Sequence, residues 1–466
     1  MSRRVRVLRR RLLVDLGAGH VGQVTAPARW ITSPAKVDLC FTGGNILTVF
    51  ALFSGCNACS EPNRDAGEPH DGGADVDDSE DIGPVGDSDL DHEVDLDTDL
   101  DVSDAETHTS DADTDRPDGD IDNDALDNLY RPLIPVPVDR PPRECGERCR
   151  QVSFAGGVTE FDIWENRIVY TSNPDVFLLD LTSGSEYRWP KEDGENCIHA
   201  AIYEETLAVF CYTSISDEET NETFWTFNLS NSMRHRIYPE GADRFHGADY
   251  IDIYGNIVVW SDGRNGSSHP EIFIHDLTTG REHQITDGGC CVGESRIWDN
   301  RIVFQNFAST RRNIFMYDVG TGTTTRIATS VYAQYLPAIQ GDRVVWIDAR
   351  NDPCGYFPCN PDVYYADLST GEVHAATTEG SLQRSPDIYG NIVVWDDLRN
   401  DPRPNDFRPG DQEMDIYLYN IRTSEERQVT NFPGMEGKPR VWGDKVYFVM
   451  SDDVVTWSIY EMQIDL

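Results

Sequence analysis

Acidic and basic side chains that could act together recur in a fixed pattern along this chain. Three segments carry the order Trp-x-Asp-x-Arg-Asn, and their polar members are Asp262/Arg264/Asn265, Asp348/Arg350/Asn351 and Asp397/Arg399/Asn400. A carboxylate beside a guanidinium could move a proton or hold a developing charge. A catalytic set occurs once in a protein, however, whereas a brace of a repeated unit recurs. We therefore predict a structural role for these three sets.

A second group of charged residues does not repeat and is the better candidate for a site. His199, Asp249 and Arg384 lie six positions before the first turn of a repeated unit, and Arg296 and Arg440 lie three positions before it. A histidine, a carboxylate and three guanidiniums can bind a polar ligand where the fold brings them together. We predict these five residues as ligand-binding; the alternative is a lining that contacts water alone.

Motifs of hydrolytic enzymes give little support for catalysis. No Gly-x-Ser-x-Gly segment occurs, so the sequence does not indicate a serine nucleophile of the hydrolase type. Hydrolysis of a sugar would require two carboxylates, and Asp249 with Asp252 is the nearest candidate pair.

The elements that must position these residues are repeated units. The nine residues DIYGNIVVW occur twice, at 252–260 and 387–395, so the copies start 135 residues apart, which is three spacings of 45. A period of 40–50 residues with strand-like content is typical of β-propeller blades. Gly-Asn favours a two-residue hairpin turn, and the run Ile-Val-Val-Trp suits a strand buried on both faces.

Seven copies of the unit can be aligned on the aromatic residue that closes the second strand. These residues are Tyr170, Phe210, Trp260, Phe304, Trp346, Trp395 and Phe448. The last copy ends after its third strand, while residues 150–153 (RQVS) resemble the outer strand at 427–430 (RQVT). We therefore predict an all-β fold: a seven-bladed propeller of four-stranded blades over 145–466, closed by an N-terminal strand.

These repeats resemble the TolB-like propeller family, whose pattern is P-x-I-x-G-x-x-I-V-W, then D-I-Y-x-Y-D-L-x-T-G, then a Gln-Ile/Val-Thr strand. The resemblance implies the propeller fold. Its members include a periplasmic partner of the Tol envelope system, propeller domains of oligopeptidase-type peptidases and a polysaccharide lyase, so fold alone does not choose a function. In the lyase members a histidine cluster holds a metal; here His199 and His246 are the histidines expected near the channel mouth.

The first 55 residues are predicted to be a signal region. The run ILTVFALFSGC at 46–56 looks like a bacterial lipobox, which implies lipidation of Cys56. Its apolar stretch is too short for a lasting membrane span, so we expect a lipid anchor to be the only membrane attachment. Residues 1–36 fit a signal poorly, and a misassigned start near Val37 is the alternative. The protein is then exported as an outer-membrane lipoprotein, periplasmic or on the cell surface.

Residues 56–144 are predicted to be a disordered Asp-rich linker. From Glu61 to Tyr130 there are 27 acidic residues against two arginines, a net charge of −25 out of −43 for the chain. Like charges at this density prevent collapse, and the acidic balance excludes nucleic acid as a partner. The alternating aspartates also resemble calcium loops, so the alternative to a spacer is a weak calcium site at Asp111, Asp113, Asp115, Asp118 and Asp120.

With Cys56 assigned to the lipid and Cys59 left over, the remaining cysteines downstream of the signal region fall into close pairs, although a Cys290–Cys291 bond would be strained and these two could have other partners. The pairs are Cys145 with Cys149, Cys197 with Cys211, Cys290 with Cys291, and Cys354 with Cys359. Even, local pairing is typical of an oxidising compartment, and we predict disulfides. Zinc is the alternative, although none of these four pairs has the Cys-x-x-Cys spacing and histidines do not cluster beside them.

Together these features predict a lipid-anchored cell-envelope propeller that binds an envelope protein or peptide and catalyses nothing. No cofactor is expected beyond weak calcium. The alternative is a carbohydrate-active lyase or hydrolase that uses the channel mouth.

Overall fold

A computed structural model describes residues 11–15, 21–25, 128–138, 141–216, 219–237, 249–264, 270–286, 292–306, 312–328, 330, 332–352, 360–402, 413–451 and 456–465. Over these ranges the secondary structure consists of strands, which confirms the all-β prediction. A helix that could span a membrane is not found in the described part of the chain. Cys56, Asp111–Asp120 and His246 lie outside the described residues.

Six strands precede the blades. An antiparallel hairpin is formed by β1 (Arg11–Asp15) and β2 (Val21–Thr25). Further along the chain come four strands of three residues each: β3 (Asn128–Tyr130), β4 (Ile134–Val136), β5 (Glu144–Gly146) and β6 (Cys149–Gln151).

Seven antiparallel sheets form the blades, and in each the strands follow one another outward from the channel. Blade 1 has β7 (Glu160–Trp164), β8 (Arg167–Ser172), β9 (Asp175–Asp180) and β10 (Ser185–Arg188); blade 2 has β11 (Asn196–Tyr203), β12 (Thr206–Ser216), β13 (Glu219–Asn228) and β14 (Met233–Ile237). Blade 3 has β15 (Asp249–Tyr254), β16 (Ile257–Asp262), β17 (Glu271–Asp276) and β18 (Arg281–Gln284); blade 4 has β19 (Val292–Trp298), β20 (Arg301–Asn306), β21 (Asn313–Asp318) and β22 (Thr323–Arg326). Blade 5 has β23 (Gln334–Gln340), β24 (Arg343–Asp348), β25 (Asp362–Asp367) and β26 (Glu372–Ala375); blade 6 has β27 (Gln383–Tyr389), β28 (Ile392–Asp397), β29 (Asp415–Asn420) and β30 (Glu425–Gln428). Blade 7 has β31 (Met435–Trp442), β32 (Lys445–Ser451) and β33 (Trp457–Gln463).

The N-terminal strand β6 supplies the fourth strand of blade 7, as predicted. It pairs antiparallel with β33, so that Gln151 lies opposite Tyr460 and Arg150 opposite Glu461. The Arg150 guanidinium also donates to the buried Glu461 carboxylate at 2.6 Å. Pairing the two ends of the chain satisfies backbone groups that would otherwise form an open edge.

The same N-terminal segment continues along the rim of the ring. β5 extends blade 7, β4 pairs with the outer strand β10 of blade 1, and β3 pairs with the outer strand β14 of blade 2. Three blades therefore have five strands. The sequence analysis places residues 128–136 in the linker, whereas the structure pairs β3 and β4 with the blades.

The apolar core lies between the blades. Val258 packs toward blade 2 and its neighbour Val259 toward blade 4, because successive side chains of a strand point to opposite faces. Equivalent clusters join every pair of neighbouring blades around the ring. The seven aromatic residues used for the alignment are all at most 1% exposed. Truncating one of them to alanine would cost about 3–5 kcal/mol.

Candidate functional site: the central channel

The innermost strands of the blades line a central channel, and one end of it opens through a polar mouth. The mouth cavity has a volume of about 190 Å³. Each blade contributes one side chain to its wall at the equivalent level: Glu160, His199, Tyr250, Glu294, Leu336, Ser385 and Lys438.

A β-bulge in the innermost strands decides which residues reach the mouth. In blades 3 to 7 the ladder to the second strand slips by one residue at this level. The bulged residue adopts a positive φ of 50–54° although it is not glycine, as in Tyr250 and Lys438. A bulge adds one residue to its strand and re-aims the side chain. In a strand without the bulge, the residue one position earlier would face the channel. The side chains that line the mouth are therefore those of the bulged residues.

The five predicted site residues consequently lie in different places. His199, Arg296 and Arg440 line the channel. Arg384 precedes the bulged residue Ser385, and its guanidinium instead donates to Asp396 of β28 at 3.2 Å. The backbone of Asp249 pairs with β16, and its side chain lies outside the described part of the structure. Ligand binding by these residues stays a prediction.

His199 reaches the mouth because it stands five positions before the turn at Glu204, as Tyr250 stands five before the turn at Gly255. The register of the β11–β12 hairpin aligns Ile198, not His199, with the residues six positions before the turn. His199 Nδ1 lies 2.9 Å from Glu160 Oε2 of blade 1. This contact links two neighbouring blades at the mouth.

A second layer of side chains lies below the mouth, around a cavity of about 80 Å³. Blades 1, 3 and 6 contribute aspartates whose carboxylates accept a backbone N–H from the next blade. The three contacts, each 2.9 Å, are Asp162 with Ile202 N, Asp252 with Ile297 N and Asp387 with Val441 N. These carboxylates brace neighbouring blades, so their first role is structural.

Blades 4 and 7 carry Arg296 and Arg440 at this level instead of aspartate. Arg440 Nη1 donates to the carbonyl of Pro439 at 3.1 Å, and its guanidinium carbon lies 6.0 Å from the Phe161 ring centroid. Arg296 makes no hydrogen bond or close ion pair with any described residue. Most of the ten N–H donors of the two guanidiniums are therefore available to the channel.

The mixed charges shift the pKa values of the lining groups. Burial raises the pKa of Asp252 to about 7 against the attraction of Arg296, and the nearby Asp162 adds to the rise. For Glu160, burial is outweighed by His199, Lys438 and Arg296, which lower its pKa to about 2. The Glu160 side chain is 53% exposed, and the solvent that it contacts is that of the channel, which the blades surround.

An aromatic plug closes the far end of the channel. It consists of Trp164, Tyr203, Tyr254, Trp298, Tyr389 and Trp442, each the last residue of an innermost strand. Trp164 contacts rings of blades 2, 3, 4 and 7, with centroid distances of 4.3–5.9 Å. A side chain that contacts aromatic side chains from several different blades lies across the channel axis. The channel is therefore a pocket with one open end.

The repeated Trp-x-Asp-x-Arg-Asn sets brace single blades, in agreement with the predicted structural role. In blade 6 Asp397 accepts hydrogen bonds from Trp395 Nε1 at 3.0 Å and from Arg399 Nη2 at 2.6 Å. Asn400 Nδ2 donates to Asp415 at 2.7 Å. The same contacts recur in blade 5.

Two of the predicted disulfides are present. Cys145 is bonded to Cys149 between β5 and β6, and Cys197 to Cys211 between β11 and β12. Within the described ranges, Glu195 with Cys197 and Cys211 is the one cluster with metal-ligand geometry, and its cysteines are bonded to each other. The other predicted pairs, Cys290 with Cys291 and Cys354 with Cys359, lie outside the described residues.

Comparisons with known proteins describe the fold and go no further. No family model and no curated protein matches the chain. An oligogalacturonate lyase from Vibrio parahaemolyticus is similar in structure, with 12% identity, 72% of this chain and 99% of that chain covered, and a TM-score of 0.51. An oligogalacturonate lyase in complex with manganese has 14% identity, coverage of 72% and 98%, and a TM-score of 0.49. TolB from Acinetobacter baumannii has 17% identity, coverage of 64% and 65%, and a TM-score of 0.38.

The described channel does not fit a metal held by a histidine cluster. Of the described residues that line it, His199 is the single histidine, and its Nδ1 faces Glu160. The aspartate carboxylates below already accept backbone N–H groups. We therefore derive no metal-dependent step for this site.

Proposed function

We propose that the protein is a lipid-anchored cell-envelope propeller that binds a partner at its channel mouth and performs no chemistry on it. The observation that carries this proposal is the one-ended channel. The aromatic plug closes one end, and the other opens on non-repeating polar side chains.

The size of the cavity supports a macromolecular partner. Pockets for whole drug-sized ligands measure about 300–1,000 Å³, whereas the mouth cavity has about 190 Å³. Such a cavity accommodates one side chain or one end group, so the rest of the ligand would lie on the surface around the mouth. Tyr250, which is 46% exposed at the mouth, offers an aromatic contact there.

The proposed cellular location rests on the sequence pattern. The lipobox-like run ending at Cys56 would place the protein on a membrane by its lipid, and 71 residues lie between Cys56 and Asn128, where β3 begins. The two disulfides are consistent with export to an oxidising compartment. Replacing Cys56 with serine is expected to move the protein from the membrane fraction to the soluble fraction of fractionated cells.

The enzymatic alternative has no specific observation in its favour. Asp252, one member of the candidate carboxylate pair, accepts the N–H groups of Ile297 and Ile253, each at 2.9 Å. These contacts use the oxygens that a nucleophile or base would need. The similarity to lyases is limited to the fold.

A pull-down with the full chain from a solubilised envelope of its own source tests the proposal, and metal analysis of the same preparation accompanies it. The matched variants are Tyr250→Ala at the mouth and Tyr130→Ala on the outer edge of blade 2, where Tyr130 is 67% exposed. We expect a specific partner whose recovery falls with Tyr250→Ala and is unchanged with Tyr130→Ala. Equal recovery with both variants, or a stoichiometric metal with no partner, would contradict the proposal.

A further inference from the structure

Two arginines of the channel break the pattern of their repeat. At the level where blades 1, 3 and 6 have aspartates that brace the next blade, blades 4 and 7 have Arg296 and Arg440. An arginine has no acceptor and cannot perform this bracing role. Both guanidiniums interact electrostatically with the channel aspartates, and most of their N–H donors are not used by the protein.

The bracing that these blades lose is supplied two residues earlier, by bulged residues. Glu294 Oε2 accepts the N–H of Leu336 at 2.7 Å and so joins blade 4 to blade 5. Lys438 Nζ donates to the carbonyl of Thr159 and joins blade 7 to blade 1. Because Glu294 and Lys438 join these blades to their neighbours, Arg296 and Arg440 are not needed for these contacts.

Three side chains of this part of the channel have hydrogen-bond donors that the described protein does not use. Arg296 makes no hydrogen bond with a described residue, and Arg440 uses one donor, on the Pro439 carbonyl. Trp164 Nε1, in the lining of the same cavity, is buried and has no hydrogen-bond partner among the described residues. A buried donor without an acceptor costs about 1–3 kcal/mol.

The aspartates of the same cavity are held in place by contacts between blades. Asp162, Asp252 and Asp387 each accept a backbone N–H from the next blade, and none forms a close ion pair with either arginine among the described contacts. The guanidinium donors are therefore open to a ligand that leaves these contacts between blades intact. A complementary ligand must bring oxygen atoms that accept hydrogen bonds.

The carboxylates of the channel compensate Arg296 more fully than Arg440. Asp252, Asp162, Asp387 and Glu160 raise the pKa of Arg296 against the effect of burial. Burial lowers the pKa of Arg440, and repulsion from Arg296 lowers it further, against the attraction of Asp387 and Asp162. An anion that contacts both arginines would relieve this repulsion. A guanidinium presents paired N–H groups whose spacing matches the two oxygens of a carboxylate or of a phosphate.

We propose that the channel binds an oxyanion group of its ligand between Arg296 and Arg440, above Trp164. This inference rests on the proposed function and specifies the chemistry of the group that enters the mouth. The group is the charged end of a larger partner or a small acid, because the cavities measure about 190 and about 80 Å³.

Binding of simple anions to the full chain tests the proposal. Acetate, succinate, inorganic phosphate and sulfate are titrated at constant ionic strength by calorimetry and thermal shift, with acetamide as the neutral counterpart of acetate. Arg296→Gln and Arg440→Gln remove one guanidinium each. Arg281→Gln is the matched control, since it removes an exposed arginine of the outer strand β18 that is not among the described channel-lining residues. Arg296→Lys and Arg440→Lys keep the charge beside the aspartates if the glutamine variants fail to fold.

We expect at least one oxyanion, and not acetamide, to bind the wild type and Arg281→Gln equally. We expect binding at least about tenfold weaker in the Arg296 and Arg440 variants, with a smaller loss in the lysine forms that lack the paired donors. No anion binding to the wild type, or an equal loss in Arg281→Gln, would overturn the inference. Partner recovery through Tyr250 is measured separately, so an unchanged recovery in the Arg296 and Arg440 variants would leave the proposed function standing while the oxyanion site fails.

Discussion

Replacing Glu436 with glutamine should stabilise the protein, and by more as the pH rises. Glu436 of blade 7 is fully buried, and its Oε2 accepts a hydrogen bond from Thr430 Oγ1 at 3.1 Å. Burial and then the charge of Asp415 in blade 6 raise the pKa of Glu436 to about 8. The carboxyl is therefore neutral in the folded protein near pH 7 and hydrogen bonds to Asp415.

The size of the effect follows from the difference in pKa between the two states. An unfolded glutamate has a pKa of about 4.3, so the folded value of about 8 corresponds to a difference on the order of 5 kcal/mol. Because the folded pKa is raised, this contribution is complete below the unfolded pKa and is lost as the pH rises through the folded pKa. A glutamine donates to Asp415 and accepts from Thr430 at every pH.

Urea or thermal unfolding between pH 5 and pH 8.5 measures the free energy of unfolding and so tests this prediction. The gain of Glu436→Gln over the wild type should increase across this range to several kcal/mol, or roughly 10 °C in Tm. Glu425→Gln, at an exposed position of β30 in blade 6, is the control and should show no such trend. Parallel pH profiles of Glu436→Gln and the wild type would refute the reasoning.

Three further predictions concern the stability that comes from the aromatic plug, from the Cys197–Cys211 disulfide and from the Asp397–Arg399 ion pair. Trp164→Ala should open the far end of the channel and cost roughly 3 kcal/mol in unfolding free energy, measured by urea denaturation; an unchanged midpoint would mean that Trp164 does not pack in the plug. Joint replacement of Cys197 and Cys211 by serine should remove about 3 kcal/mol, and a reductant should destabilise the wild type by more than it destabilises this variant, which keeps Cys145–Cys149. Arg399→Met leaves the buried Asp397 without its ion pair and should cost about 3–5 kcal/mol; Asp397→Asn in the same background should recover part of that loss, and no recovery would contradict the pairing.

The ring of blades could be predicted because its signals are local and repeated. The apolar run ending at Trp260 or Trp395 must be buried on both faces, and the glycine turn before it fixes the hairpin. Ring closure was predictable from residues 150–153, since a terminal blade with three strands must find a fourth. The paired strands β3 and β4 could not be predicted, because segments of three residues carry no periodicity.

The register at the mouth could not be read from a regular alternation, because a bulge adds a residue to the innermost strand. Arg384 was selected for this reason, whereas Ser385 lies in the mouth. A signal was present in three blades: Pro337, Pro386 and Pro439 each follow the bulged residue. A proline cannot donate to the ladder and is found at bulges or edges, so its recurrence marks the interruption.

The aromatic plug also had a signal in the sequence. Trp164, Trp298 and Trp442 stand directly before the first turn of their units, as tyrosines do in other copies. Because each of them stands at the end of a strand, the sequence suggested ordinary residues beside a turn and not contacts across the channel. Only the closure of the ring brings residues from opposite blades into contact.

Site-specific photocrosslinking in living cells tests the central claim most directly. A benzophenone amino acid replaces Tyr250 at the mouth or Tyr130 on the outer edge of blade 2 in the full chain. Binding at the mouth predicts a single crosslinked envelope partner from position 250 that is absent from position 130 and weaker in a strain that also carries Glu160→Gln and Lys438→Met. Crosslinks at position 130 alone, or none at either position, would contradict binding at the channel mouth.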